Sequence, residues 1–224
     1  MEKDVNKKII NQLHIPEGYN DFFRSIEKFR DIMLMYNCAI KEIQTKFEIL
    51  NDELSVSKNR NPIEFIKSRI KRPESIYQKL NRKNIELTEN AITEHLNDIA
   101  GVRVVCSFVD DIYEVAGMLA RQDDITVVAV KDYIKNPKPN GYRSYHMIVS
   151  VPVFFSDKSH PVKVEVQFRT IAMDFWASLE HKMKYKKDVE NATEISQRLK
   201  ECAEVIAETD LKMQEIHRDI DKIN

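Results

Sequence analysis

The chain has 224 residues, enough for one domain with a substantial apolar core and no need for disulfides or a structural metal. Its formal net charge is -1, so affinity for nucleotides or nucleic acids must come from local basic clusters and not from a global field. The three cysteines are far apart without metal-ligand spacing, which favours a reducing compartment. With no apolar signal region and no run near the roughly 20 apolar residues of a membrane span, we expect a soluble cytoplasmic protein that does not contact membranes.

Apolar residues at alternating steps of four and three predict a long helix near each end of the chain. The first series runs from Phe22 to Leu50, and the second runs from Ile195 to Ile223 with one polar interruption at Thr209. Each narrow seam needs a covering surface. The other helix, the central sheet and a second subunit all remain open as that surface.

The pattern changes between these two helices. Pro62 is expected to open a basic helix over residues 62–80, which Pro73 breaks or restarts. Strands are expected at 101–108, 125–130, 145–153 and 162–168, the last two as a hairpin, and helices at 112–120 and 171–185. Strands interleaved with helices predict an α/β or α+β fold, a sheet flanked by helices.

Two carboxylates lie on or next to expected strands. Glu165 and Gln167 share one face of the alternating segment KVEVQFRT, and Asp98 opens the segment DIAGVRVVC. Two carboxylates that project into one cleft suit a magnesium-nucleotide site, because Mg²⁺ takes one or two protein oxygens and fills its octahedron with phosphates and water. The alternative is structural: Asp98 caps a turn, and Glu165 pairs with Arg103 or Lys163.

Two basic clusters could bind phosphates. One lies in residues 69–79, and the other lies in the loop 131–143 beside Tyr133 and Tyr142. Basic groups next to aromatic rings suit phosphate binding with base stacking, although a solvated basic face is the ordinary explanation of such runs. No glycine-rich phosphate loop is present, so side chains would hold the phosphates. His146 follows the second cluster and could face the same cleft.

Four ordered motifs closely resemble the synthetase domain of the RelA/SpoT family. They are RIKRPESI at 69–76, DIAGVRVVC at 98–106, NGYRSYH at 140–146 and VEVQFRTIAMDFWASLEHKMKYK at 164–186. The short length and the flanking helices resemble the single-domain branch of small alarmone synthetases, which lack a hydrolase domain. The resemblance implies a nucleotidyltransferase-like core at 61–186 with a mixed sheet of about five strands, a helical extension at 1–60 and a C-terminal helix at 187–224.

The resemblance also implies an activity: transfer of pyrophosphate from ATP to the 3′-hydroxyl of GDP or GTP, with guanosine tetra- or pentaphosphate as product and AMP as leaving group. Asp98 and Glu165 match the carboxylates that bind Mg²⁺, and Glu165 also activates the attacking hydroxyl. The positions that match ATP-binding groups are Arg69, Lys71, Ser75, Lys79, Arg103 and Lys131. The positions that match GDP- or GTP-binding groups are Lys138, Tyr142, His146, Gln167, Asp174 and Glu180.

Two departures from family members bear on specificity and regulation. Asp174 stands where some relatives carry Asn, and a charge facing the guanine would alter preference among GMP, GDP and GTP. Lys67 and Ser68 stand where relatives activated by pentaphosphate carry a threonine and a glycine. Because family members often form ring-like homotetramers through their terminal helices, we expect a homotetramer here, and single-stranded RNA is a candidate regulator.

Two other functions compete with this one. A toxin of the same fold would transfer pyrophosphate to the 3′-end of tRNA, but the net charge of -1 and the acidic C-terminal helix disfavour a tRNA acceptor. A silent module would only bind nucleotide or single-stranded RNA. Such a binder needs no general base, so Asp98, Glu165 and Tyr142 together disfavour it.

Overall fold

The computed structural model describes the backbone of residues 17–57, 60–184 and 192–223, and the side-chain environments of 28–56, 60–183 and 193–223. Six helices and five strands follow one another in these ranges. In chain order they are α1 Glu17–Ser57, β1 Ile63–Ile70, α2 Pro73–Asn81, α3 Glu89–His95, β2 Ala100–Cys106, α4 Val109–Ala120, β3 Thr126–Asp132, β4 Tyr145–Phe154, β5 Ser159–Thr170, α5 Ile171–Lys184 and α6 Ala192–Ile223.

The five strands form one mixed sheet in the order β1-β2-β5-β4-β3. β2 and β5 run parallel, whereas the other neighbouring pairs are antiparallel. This confirms the predicted α+β architecture of a mixed five-stranded sheet flanked by helices. The hairpin predicted near residues 156–159 joins β4 and β5, and the helix predicted from 171 is α5. The end predicted for that helix, Tyr185, lies outside the described residues.

The prediction of a helix over residues 62–80 is wrong in its first half. Residues 63–70 form strand β1, which pairs antiparallel with β2 from Ile63 opposite Cys106 to Ile70 opposite Ala100. Apolar residues at 63, 65, 66 and 70 fit neither period cleanly, and the pairing with β2 decides the outcome in favour of a strand. Pro73 starts α2 instead of interrupting it, since proline is tolerated in the first helical turn.

One face of the sheet is apolar and is covered by α1 and α4. Valines alternate inward along β2 and β5, at 102, 104, 164 and 166, and all are buried. The buried stripe of α1 consists of Ile32, Tyr36, Ala39, Ile40, Ile43, Phe47, Leu50 and Leu54. Phe47 meets Phe168 of β5 edge-on, with ring centroids 5.8 Å apart. The sheet of the same chain therefore covers the first helical seam. The side chains of Phe22 and Ile26, at its start, lie outside the described residues.

The second seam is covered only in its first half. Leu199 and Ile206 of α6 pack against Trp176, but Met213, Ile216, Ile220 and Ile223 are exposed. The face that α6 buries over its second half is polar instead. Asp210 accepts a hydrogen bond from the Thr170 hydroxyl at 2.6 Å, and Gln214 accepts one from the backbone of Asp110 at 2.9 Å. Among the described helices, none is long and apolar enough to cross a membrane.

Asp210→Asn should make the protein more stable at neutral pH. Burial raises the pKa of Asp210, and the hydrogen bond from Thr170 offsets only part of that effect. A carboxyl with a raised folded-state pKa contributes stability below its unfolded pKa of about 3.9, and this contribution is lost as pH rises through the folded value. Asparagine keeps an acceptor for Thr170 but carries no charge. The stability difference between variant and wild type should therefore grow with pH across this window.

Denaturant unfolding followed by circular dichroism at pH 4 to 8 measures that difference. Asp219→Asn is the matched control, because the Asp219 side chain on the same helix is 70% exposed. A stability difference for Asp210→Asn that stays flat or shrinks as pH rises would contradict the burial of an ionised carboxylate at this position.

Candidate active site

The second face of the sheet is polar, and one row of side chains crosses all five strands. Register pairs Lys67 with Arg103, Arg103 with Gln167, Gln167 with His146, and His146 with Lys131. Side chains of directly paired residues project to the same face. In the neighbouring row Arg69 pairs with Gly101, which pairs with Glu165. Six residues that the sequence marked as functional thus lie in two adjacent rows.

Asp98 lies just before β2, at the edge of this face, and binds two lysines. Its Oδ2 is 2.9 Å from Lys71 Nζ and 2.7 Å from Lys79 Nζ. Burial would raise the pKa of Asp98, but the hydrogen bonds from Lys79 and Lys71 outweigh it and hold the pKa below its usual value. Asp98 is therefore ionised at neutral pH. Lys71 and Lys79, two of the three lysines that the resemblance assigned to ATP, therefore lie beside this carboxylate.

Glu165 occupies the centre of the polar face. Gln167 donates a hydrogen bond to its Oε2 at 2.7 Å, and His146 Nδ1 lies 3.4 Å from its Oε1. Burial would raise the pKa of Glu165, but the hydrogen bonds and charge of His146 and the contact with Gln167 lower it below its usual value. Asp98 acts in the opposite direction on the same pKa, so the two carboxylates sense each other's charge. This confirms the prediction that Glu165 and Gln167 share one face.

Tyr142 lies in the loop before β4 and closes one side of the face. Its hydroxyl is 2.8 Å from His146 Nε2, which connects it through the imidazole to Glu165. Lys138 Nζ lies 4.8 Å from the centroid of the Tyr142 ring. Asn140 of the same loop donates a hydrogen bond to Glu180 on α5 at 3.0 Å. Four of these residues, Lys138, Tyr142, His146 and Glu180, are ones that the resemblance assigned to the guanosine nucleotide, and the structure brings them to one side of the polar face.

A cleft runs along the β1–β2 side of the sheet. Part of it is lined by Lys67, Ser68, Arg69, Gly101, Val102, Arg103 and Gln167, and part by Arg69, Ile70, Lys71, Arg72, Ser75, Gln78, His181 and Lys182. Arg69 crosses Gly101, where an added Cβ would lie 3.7 Å from Arg69 Cγ. Arg69 and Arg103 are close enough for the charge of one to lower the pKa of the other. Sequence reasoning did not assign Gln78, His181 or Lys182 to the site, although His181 and Lys182 lie within the fourth motif at 164–186.

Arg169 is a buried cation that sequence reasoning also missed. It donates to Asp174 Oδ1 at 2.9 Å, to the Tyr142 hydroxyl at 2.9 Å and to Gln167 Oε1 at 3.2 Å. The sequence pattern could have indicated Arg169, since it lies two residues after Gln167 and four after Glu165 on the same face of the alternating strand. Asp174 also accepts a hydrogen bond from Arg103 at 3.0 Å, and the two arginines hold it at the buried start of α5.

The basic residues of the loop 131–143 contact three different parts of the structure. Lys138 lies over Tyr133 and Tyr142, as the sequence suggested. Arg143 instead donates to the backbone carbonyls of Gly141 and Ala203, so it ties the loop to α6. Lys131 lies on β3 beside His146, three strand spacings or about 14 Å from the β2 side where Arg103 lies. Its assignment to ATP stays a prediction.

The donor set fits a magnesium ion that is shared with substrate phosphates. The described residues contain no group of three or more histidines, cysteines or carboxylates that could hold a metal ion by themselves. Asp98 Oδ1 is buried and has no hydrogen-bond partner in the described part of the chain, so this oxygen is available as a ligand. Asp98 and Glu165 would supply the one or two carboxylates that Mg²⁺ uses at nucleotide sites.

Comparison with known proteins gives the family. Residues 68–190 match the family described as the region found in RelA / SpoT proteins. The GTP pyrophosphokinase YwaC of Bacillus subtilis is 46% identical over 202 residues, which cover 90% of this chain and 96% of YwaC. The chain therefore belongs to the RelA/SpoT family, as the four motifs predicted.

Solved structures agree with this assignment. The small alarmone synthetase 1 of Bacillus subtilis bound to its product pppGpp has a TM-score of 0.79 and 36% identity, covering 87% of this chain and 98% of that one. The structure of the same synthetase bound to AMPCPP has a TM-score of 0.73 and 33% identity, covering 88% of this chain and 99% of that one.

Gly141→Ala should disturb the loop that carries Tyr142. Gly141 has φ +87°, and an added Cβ would lie 2.6 Å from Ala203 Cβ on α6. Both the backbone conformation and the contact oppose a side chain, so we expect a loss of about 1 to 3 kcal/mol in stability. Thermal unfolding measures the loss. Gly117→Ala is the control, because it lies within α4, meets only the flexible end of Arg121 and should be neutral or stabilising.

Proposed function

We propose that this member of the RelA/SpoT family is a GTP pyrophosphokinase that transfers the β,γ-pyrophosphate of ATP to the 3′-hydroxyl of GDP or GTP. The products are ppGpp or pppGpp and AMP. The enzyme class predicted from the sequence is confirmed by the relatives. The observation that carries the residue roles is the placement of an ionised carboxylate, Glu165, between the lysine-rich Asp98 side and the Tyr142–His146 side of one polar face.

On the ATP side the cleft supplies cations where a triphosphate needs them. Lys71, Lys79 and Ser75 would contact the phosphates near the start of α2, whose N-terminal amides favour anions. Arg69 and Arg103 flank the floor formed by Gly101, where a base can approach closely because no Cβ intervenes. Lys131 is proposed for ATP on the resemblance alone.

On the acceptor side Tyr142 would stack on the guanine, and Lys138, His146, Gln167, Asp174 and Glu180 would line the rest of the subsite. Base–aromatic stacking contributes about 1 to 3 kcal/mol per base. GMP is a further candidate acceptor.

The transfer itself needs a base and fixed geometry. The 3′-oxygen of the acceptor attacks the β-phosphorus of ATP, the bond from that phosphorus to the bridging oxygen breaks, and AMP leaves with that oxygen. Glu165 takes the proton of the 3′-hydroxyl, and His146 and Gln167 hold its carboxylate in place. Mg²⁺, held by Asp98 and Glu165, would offset charge on the transferred phosphates. Positioning and electrostatic stabilisation are the usual sources of acceleration in phosphoryl-type transfer.

We further propose that the enzyme is a cytoplasmic homotetramer. The exposed stripe Met213, Ile216, Ile220 and Ile223 supports assembly through α6, because an apolar row on a helix favours a covering surface. Single-stranded RNA remains a candidate regulator. The tRNA-directed alternative stays open to the same assay that tests the main proposal.

Glu165→Gln should preserve the fold and nucleotide binding while turnover falls about 10² to 10⁴-fold, because the amide cannot accept the proton. The assay incubates protein, Mg²⁺ and ATP labelled at the γ-phosphate with GMP, GDP, GTP or bulk tRNA separately, and resolves labelled products by chromatography. Glu48→Gln, exposed on α1, is the matched control and should keep wild-type turnover. Label only on tRNA would replace the guanosine acceptor, and near-normal turnover of Glu165→Gln would remove Glu165 from the role of base.

Replacing Ile216 and Ile220 together by Asp should dissociate the assembly if α6 forms an interface, since each aspartate would have to be buried without a partner. Light scattering after size-exclusion chromatography measures the mass. Leu211→Asp is the control for an exposed apolar residue replaced by a charge, because Leu211 lies on the same helix outside the seam and is 51% exposed. A wild-type protein that is already monomeric would end the assembly proposal.

A further inference from the structure

The buried charges between the two halves of the active site form a continuous chain of contacts. Asp174 Oδ1 accepts one hydrogen bond from Arg103 Nη1 at 3.0 Å and one from Arg169 Nη1 at 2.9 Å. Arg103 belongs to the cleft on the β1–β2 side, whereas Arg169 donates its other terminal nitrogen to the Tyr142 hydroxyl at 2.9 Å. One carboxylate oxygen therefore joins the proposed ATP side to the proposed acceptor side.

The placement of these groups leaves little freedom. Arg169 is 5% exposed and Asp174 is 8% exposed, so neither side chain can turn to solvent unless the residues packed around it move. The planar guanidinium fork of Arg169 fixes its two terminal nitrogens relative to each other. A movement of Asp174 must therefore move the donors that hold Tyr142 and Gln167.

The charges within this cluster do not balance. Two guanidinium groups share one carboxylate, and each arginine keeps its Nε buried without a partner in the described part of the chain. Burial and then the charge of Arg169 lower the pKa of Arg103, whereas Asp174 raises it. Asp174 therefore offsets the charge of one buried arginine, Arg169, and of one half-buried arginine, Arg103. Because both guanidinium groups bind the same carboxylate oxygen, the position of one arginine affects how the carboxylate holds the other.

We propose that Asp174 and Arg169 are positioning residues that couple the two nucleotide subsites, so that occupation of one subsite tightens binding at the other. The inference rests on the proposed function, because it takes ATP and a guanosine nucleotide as the two ligands. A base that stacks on Arg103 fixes its guanidinium, which fixes Asp174, then Arg169 and finally Tyr142. The acceptor then binds a site that is already ordered, and the coupling is reciprocal.

This role differs from direct contact between Asp174 and the guanine. A direct ligand would weaken acceptor binding by the same factor whether or not ATP is present. A coupling residue changes mainly the ratio of the two acceptor affinities. The two roles are therefore separable by binding measurements without turnover.

The experiment measures the Kd of GDP by calorimetry with and without saturating AMPCPP and Mg²⁺. In the wild type we expect AMPCPP to tighten GDP binding about 5-fold or more, within the usual range of such coupling. In Asp174→Asn this ratio should fall to about 1 while AMPCPP still binds. Asp110→Asn is the matched control, because Asp110 pairs with Arg218 on the far side of the sheet, and its ratio should equal that of the wild type.

Two more variants keep the test independent of the folding of Asp174→Asn. Arg169→Lys keeps the charge but loses the fork, and Tyr142→Phe keeps the ring but loses the hydroxyl that Arg169 holds. In both variants the ratio of GDP affinities with and without AMPCPP should fall to about 1. The effects of Asp174→Asn and Tyr142→Phe on this ratio should be non-additive in the double variant, since the residues act along one chain of contacts.

Three results would overturn the inference. They are a wild-type ratio near 1, an Asp174→Asn variant that weakens GDP equally with and without AMPCPP, and Arg169→Lys and Tyr142→Phe variants that keep the wild-type ratio. If both nucleotides bind and pyrophosphate transfer proceeds, such a result defeats only the coupling. If neither nucleotide binds the wild type, the proposed function fails together with it.

Discussion

The parallel pairing of β2 with β5 is the constraint on which the site depends. It places Gly101 opposite Glu165 and Arg103 opposite Gln167, and the valines between them fill the apolar face beneath α1. Because side chains alternate between faces, a shift of this register by one residue would move the proposed catalytic groups into the core and the valines into the cleft. The apolar burial on one face therefore enforces the chemical arrangement on the other.

The polar face tolerates its charges through specific partners. Asp98 binds two lysines, and Asp174 binds two arginines, so each carboxylate has more cations around it than it can neutralise. The chain has a net charge of -1, yet this face has an excess of positive charge. Such an excess suits two polyanionic substrates, whose phosphates would complete the balance. It also explains how carboxylates that burial disfavours stay ionised.

Patterns confined to one segment could be read from the sequence, and patterns that depend on distant partners could not. The alternation of polar and apolar residues around Glu165 predicted strand β5 and the face on which Glu165 and Gln167 lie. The four motifs predicted the family. The helix predicted over residues 63–70 is wrong because the strand character of this segment depends on β2, whose paired residues lie 30 to 43 positions away in the chain. The pairing of Arg103 with Asp174 spans 71 positions. The periodicity of apolar residues within one segment cannot predict pairings of this kind. In α6 the apolar residues repeat regularly along the exposed face, so periodicity pointed to that face and not to the buried polar face with Asp210 and Gln214.

The C-terminal helix has two faces with different tasks. One face holds the loop that carries Tyr142, since Ala203 lies against Gly141, the Ala203 carbonyl accepts a hydrogen bond from Arg143, and Tyr142 packs against the cluster of Trp176, Ala177 and Ala203. The same helix is tied to the end of β5 through Asp210 and Thr170. Its opposite face carries the exposed apolar stripe. Any partner that covers this stripe would contact the same helix that supports the Tyr142 loop, so the proposed assembly would be coupled to the geometry of that loop.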